Sequence, residues 1–211
     1  MSSSAADPIY EDLKCQILSG KLTSGQRLRQ DQIAKQFGVS KIPVREALNR
    51  LEVDNLVVLE RNKGAAVRRY SETEILQLLD IRIALECHAL ELAIPNMIGS
   101  DFRDMRDLLD DYAKCSEISE WSSMNRRFHH MLCEPSGNAQ IISMIDDLQA
   151  KLGQYLRVLL SQAVGLERPM REHGAILDAC ERGDSSVAVE ALRNHIETTQ
   201  KEVAAFLRRA E

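Results

Sequence analysis

Asn125 and His129 stand four residues apart, and His173 and His195 follow in later segments, each after an arginine-bearing stretch. Residues four apart share one face of a helix. One amide oxygen and three imidazoles converging from three helices would suit a divalent metal such as zinc, nickel or manganese, while the same histidines could be ordinary core or surface groups. His130 is turned about 100° from His129 on a helix and is not expected as a ligand. His88 is read as structural. Two arginines carry the other chemistry of this half: Arg82, one turn before Glu86, and Arg157, two residues after Tyr155. An arginine is costly to bury unpaired, so each marks either a carboxylate or phosphate ligand or an internal acid, and Glu86 is placed to be that acid for Arg82.

A second kind of chemistry is written in "GVSKIPVREALNRLE", residues 38–52, where a proline sits just inside an amphipathic helix between Lys41 and Arg45. First-turn N–H groups have no intrahelical acceptor, so Pro43 costs nothing there, and Ser40 is expected as the cap. Val44, Ala47, Leu48 and Leu51 make the buried stripe and leave Lys41, Arg45, Asn49 and Arg50 outside. Free N–H groups and cations at a helix start are suited to phosphates and base edges in the major groove.

The elements that must hold these groups follow from periodicity and punctuation. Residues 8–19 and Gln30–Phe37 read as helices, the second ended by Gly38 in a left-handed cap. With the helix after Ser40 they form a helix-turn-helix. Leu56–Glu60 and Ala65–Arg69 read as strands around Arg61-Asn62-Lys63-Gly64, a hairpin with a basic tip where Lys63 would meet the DNA backbone. Beyond residue 70 the pattern is helical throughout: about 72–94, 101–116, 119–133, 138–161, 168–182 and 184–209, broken at Pro95, Pro135-Ser136-Gly137, Gly165 and Gly183. The expected fold is mainly α: a winged helix-turn-helix over 1–70, then an all-α antiparallel six-helix bundle over 71–211.

Composition agrees with two units of different partners. In the 211-residue chain of net charge -5, residues 1–70 carry 12 Lys and Arg against 8 Asp and Glu, and residues 71–211 carry 15 against 24. The start "MSSSAADP" lacks a secretory pattern and the longest uncharged run is Pro135–Ile145, so a cytoplasmic protein without membrane contact is expected. Five scattered cysteines without a C-x-x-C pair argue against a disulfide framework or a thiolate zinc site.

The stretch "ILSGKLTSGQRLRQDQIAKQFGVSKIPVREALNRLEVDNLVVLERNKGAAV" resembles the signature of the GntR family of bacterial transcription regulators. "DIRIALECHALELA", "NRRFHHMLCEPSGN", "REHGAILDACERGD" and "ALRNH" resemble the FCD effector domain of its FadR subfamily, in the shorter, VanR-like version. The resemblance implies a homodimer on a pseudo-palindromic operator in double-stranded DNA. It places the DNA contacts at Lys41, Arg45 and Gly64, with Ser40 and Arg50 at phosphates or flanking bases. It also implies a small organic acid as effector and a metal motif of Asp, His, His and His, in which Asn125 stands for the Asp and weakens the site. Two further departures are Asp31, where relatives are often basic, and Lys41-Ile42 in place of Arg-Thr, which exchanges a planar fork for a point charge. A metal-dependent hydrolase with an appended DNA-binding module is the alternative from another class, although no H-E-x-x-H or comparable acid accompanies the histidines. A pure metal sensor without an organic effector is a third reading.

Overall fold

A computed structural model describes residues 4–60, 64–115, 118–159 and 167–208, with the side chains of 118, 119, 154 and 157–159 outside the description. The chain divides into two compact units, Met1–Tyr70 and Ser71–Glu211.

In the first unit three helices cover a small sheet: α1 Asp7–Leu18, α2 Gln30–Phe37 and α3 Lys41–Val53, with strands β1 Arg27–Leu28, β2 Val57–Glu60 and β3 Gly64–Val67. The sheet is antiparallel in the order β1-β3-β2, with Val57 opposite Val67 and Glu60 opposite Gly64. Ile9, Leu13 and Ile17 of α1 meet Ile33 of α2, Val44, Leu48 and Leu51 of α3 and Val57 and Val67 of the sheet in one core. The apolar stripe of α3 buries completely, which forces its polar residues outward. Gly38 ends α2 at φ 66°, the left-handed geometry expected of it.

Three local expectations are revised. Strand β1 lacks a sequence signal, because two residues show no period; it forms through its pairing with β3 at Arg27 opposite Ala66. The second wing strand ends at Val67 rather than Arg69, with the Arg68 N–H still donating to the Leu56 carbonyl in the same register. Ser40 has the extended backbone of an N-cap, yet its hydroxyl makes no capping hydrogen bond.

The second unit is helical: α4 Glu72–Ala93, α5 Gly99–Lys114, α6 Ile118–Cys133, α7 Ala139–Leu159, α8 Glu167–Glu181 and α9 Ser185–Leu207, with single 3-10 turns at Ile94–Asn96 and Glu134–Ser136. These turns carry Pro95 and Pro135, and Gly137 and Gly183 follow helix ends at φ 65° and 72°, so the breaks are where backbone chemistry demands them. Ser71 and Glu74 close a reciprocal capping box at the start of α4. Helix α4 lies against α6, α7 and α9, while α8 bridges α5 and α9. The expected break at Gly165 lies outside the described residues. No helix among the described residues is long and apolar enough to cross a membrane. Of the cysteines, Cys87, Cys133 and Cys180 are buried and Cys15 is exposed.

Candidate functional site

The bundle brings His129 of α6, His173 of α8 and His195 of α9 together, with one nitrogen of each lying within 4.8 Å of the others. All three are buried. His173 Nε2 and His195 Nε2 are 3.3 Å apart. The other nitrogens explain how the rings are aimed: His129 Nδ1 lies 2.8 Å from Glu86 Oε2, and His195 Nδ1 lies 2.7 Å from Glu172 Oε2. A carboxylate only accepts, so both Nδ1 atoms donate and both Nε2 atoms carry lone pairs. His129 Nε2 is buried without a partner among the described residues. Two lone pairs directed inward, each backed by a carboxylate on the opposite ring nitrogen, are the arrangement a divalent metal requires of imidazole ligands. The residues therefore fit a metal.

Protonation agrees with that chemistry. Burial pushes His129 down to about 4, against the pull of Glu86, and burial lowers His173 and His195 as well, so all three rings are neutral near pH 7. Burial alone would raise Glu86, but Arg82 and His129 outweigh it and hold this carboxyl below the usual range. Glu86 accepts at 2.7 Å from Arg82 Nε and at 2.9 Å from Gln149 Nε2, so its charge is well supported. Glu172 is 2.5 Å from Arg168, which also contacts Glu202.

Arg82 meets the internal acid that the sequence offered it. Its Nε pairs with Glu86 on the next turn, while its buried Nη2 has no partner among the described residues. The side chain of Arg157, on α7, lies outside the described residues. Asn125 is half-buried, one turn before His129 on the same face of α6. His130 is directed instead to Asp146 of α7 at 3.0 Å, and His88 is exposed beside Glu91. Glu172, Gln149, Tyr112 and Trp121 are absent from the sequence-derived site, because nothing local marks a side chain that pairs across helices. Glu86 did carry a signal, as an acid in the buried stripe of α4.

In the first unit, Lys41, Arg45, Asn49 and Gly64 line one cleft of ≈ 980 Å³ with Arg27 and Arg29. Arg45 is exposed, with no acidic partner among the described residues. Lys41 contacts Asp31 of α2, so the two departures noted in the sequence pair with each other. Ser40 is exposed at the start of α3, and Ile42 beside it is 76% exposed, an apolar group on the same turn that sequence reasoning did not assign. Arg50 is placed elsewhere: it lies 2.7 Å from Asp7 and over the Tyr10 ring at 4.1 Å, which ties α3 to α1. Gly64 has φ +97°, and a Cβ there would lie 2.5 Å from the Leu28 carbonyl oxygen, so the pairing of β1 with β3 itself demands glycine. Lys63 lies outside the described residues.

A winged helix-turn-helix followed by a helical domain with a histidine centre defines a class of DNA-binding regulator. Residues 5–67 match "Bacterial regulatory proteins, gntR family" and residues 77–198 match the FCD domain. The chain belongs to the GntR family of bacterial regulatory proteins, with an FCD domain, and is a transcriptional regulator. Among its relatives, the HTH-type transcriptional regulator BphR of Paraburkholderia xenovorans is 28% identical, covering 96% of this chain and 86% of its own. The gluconate operon transcriptional repressor of Bacillus subtilis is 27% identical, covering 91% and 82%. The solved structure of E. coli McbR/YncC shares the fold at a TM-score of 0.82 with 24% identity, covering 100% of this chain and 99% of that one.

Proposed function

We propose that this regulator binds a pseudo-palindromic operator as a homodimer, and that a small organic acid, held together with a divalent metal in the bundle, sets its DNA affinity. One observation carries the effector half: Arg82 Nη2 and the His129 Nε2 lone pair, both buried and without partners among the described residues, belong to the core that holds the three histidines. His129, His173 and His195 would hold zinc, nickel or manganese with Asn125 as the oxygen ligand, and the bound metal would supply positive charge to fix an anion. Asn125 adds no charge to offset the metal. Glu86 is already matched by Arg82, and Arg168 is shared between Glu172 and Glu202, so these groups would offset one of the metal's two charges and an anionic effector would complete the balance.

The same pairing disfavours a metal-dependent hydrolase, since a general base must be free to take a proton. Glu86 is held by Arg82, Gln149 and His129, and Glu172 by Arg168 and His195. Dimerisation is supported by α4, where Ile81 and Leu92 lie 48% and 38% exposed on one helical stripe with Ala84 and His88. The relative named for repressing a gluconate operon supports repression as the sense of regulation and organic-acid metabolism as its setting.

An effector acts only through different affinities for two arrangements of the dimer, and the segment Tyr70–Thr73 is the junction that would move. The test is a thermal-shift screen of organic acids with and without divalent metal, followed by gel shifts with the hits, since ligands of the native state raise its melting point. We expect stabilisation by acid and metal together to exceed that by either alone. If metal alone changes operator affinity and no acid does, the protein is a metal sensor.

A further inference from the structure

Helix α3 leaves two large apolar side chains in water, Ile42 on its first turn and Val53 on its last, 76% and 79% exposed. Single exposed apolar groups are ordinary on a protein surface, so the surroundings must say whether one of them serves a partner. Val53 is flanked by Glu52 and Asp54, two acids that repel phosphates. Ile42 instead has Lys41 beside it and Arg45 on the next turn, and both of these line the cationic cleft.

The direction of Ile42 follows from the helical period. At about 100° per residue it lies about 60° round α3 from Arg45 and about 20° from Asn49. All three are exposed, while Val44, Ala47, Leu48 and Leu51 are buried on the opposite side. Ile42 therefore stands near the middle of the outward face, where α3 would enter a groove. Glu46, one turn further on, accepts from Ser4 Oγ at 3.4 Å, which ties this acid to the N-terminal segment.

The chemistry of the side chain restricts what it can meet there. Isoleucine has no donor and no acceptor, so it can neither read the hydrogen-bonding pattern of a base edge nor hold a phosphate. The major groove offers one apolar group, the C5-methyl of thymine. Removing Ile42 from water is favourable only against such a surface. The exchange of Arg-Thr for Lys41-Ile42 then acquires a sense: a forked donor and a hydroxyl are given up, Lys41 contacts Asp31, and apolar contact takes over part of the reading.

We propose that Ile42 is a specificity-determining residue that reads a thymine through its C5-methyl group in the major groove. This rests on the operator-binding reading above and names one base that α3 selects.

The test uses the full-length protein and duplexes carrying a random stretch of about 25 base pairs, from which bound sequences are selected; a site of this size spans two half-sites one or two helical turns apart. In the selected duplex each thymine is then replaced in turn by deoxyuridine, which removes the methyl and leaves the hydrogen-bonding edge intact. Affinities are measured by fluorescence anisotropy at one salt concentration. We expect the loss of one particular methyl to weaken binding about three- to tenfold, with little change at the other thymines. Ile42→Ser should bind the thymine duplex as weakly as wild type binds the uridine one and should lose nothing more on the exchange, whereas Ile42→Val should keep the dependence. Melting temperatures control for folding, and the wild-type series decides even if a variant does not fold. Indifference of the wild type to every methyl would overturn the role of Ile42 alone, as would a methyl dependence that persists in Ile42→Ser. Enrichment of no sequence at all would overturn the operator reading together with it.

Discussion

The two units use the same residue types under opposite conditions. In the first, Lys41 and Asp31 pair at the surface, 62% and 64% exposed, beside the cleft that holds Arg45. In the second, Arg82 and Glu86 pair at 2.7 Å with 2% and 0% exposure, and two further side chains hold the carboxylate in place. Water screens the first pair, and Lys41 can exchange Asp31 for a DNA phosphate or base edge. The second pair can be broken only by leaving a charge stranded in the core. A surface pair can therefore adjust affinity, whereas a buried pair sets the geometry of everything that touches it, here including the aim of His129.

The largest expected effect tests that contrast at its buried end. Glu86→Ala leaves Arg82 buried without its counter-ion and releases His129 Nδ1, and should cost about 3–5 kcal/mol. Urea denaturation would show it; a change near zero would mean that solvent reaches Arg82. Next in size is pH. The buried imidazoles have folded pKa values below their ordinary one, His129 at about 4 against 6.5, so between those values the unfolded chain binds more protons than the native one. Stability should therefore fall as pH drops from 7 towards 5, by up to about 1.4 kcal/mol per pH unit for each of the three rings. Glu86, held below the usual carboxyl range, adds nothing in that window. Melts of metal-free protein at pH 7.5, 6.5 and 5.5 measure the slope, and His129→Gln should reduce it by one ring's share.

Much of this architecture could be read from the chain, and what could not be read has a common cause. The bundle helices were expected within a few residues of where they lie, because an amphipathic stripe bounded by Pro or Gly is a local signal. The three histidines, too, announce themselves by residue type. What orients them does not: Glu172 reaches His195 across 23 positions, and Tyr112 and Trp121 read as ordinary core aromatics, although their donors have no partner among the described residues. The same limit applies in the first unit, where a helical wheel shows Arg50 outward but cannot show that Asp7, 43 positions earlier, holds it.

A mid-sized effect is expected at the exposed end. Arg45 stands in the cleft without an acidic partner among the described residues, so Arg45→Ala removes nothing from the fold and one fork-shaped donor from DNA reading. Operator discrimination should drop by about 1–3 kcal/mol in gel shifts while the melting temperature stays constant. An equal loss on operator and scrambled DNA would make Arg45 a phosphate contact instead.

The smallest expected effect concerns Asp31. Its carboxyl is held below the ordinary value by the hydrogen bond from Lys41 and by that residue's charge, so Asp31 is ionised at neutral pH. Both partners are exposed, and the melting temperature should not move when one is removed. The consequence should instead appear on DNA, because Asp31 brings a negative charge to the cleft that holds Arg45 and occupies the ammonium that could otherwise neutralise a phosphate. Asp31→Ala should therefore tighten binding to operator and scrambled duplex alike and steepen the dependence of log affinity on log salt by about 1. Fluorescence anisotropy over a salt series on both duplexes measures this. An unchanged slope would show that Lys41 leaves Asp31 for the DNA without cost. Weaker operator binding alone would show a different role, in which Asp31 steadies Lys41 towards a base edge and the surface pair, like the buried one, fixes a geometry.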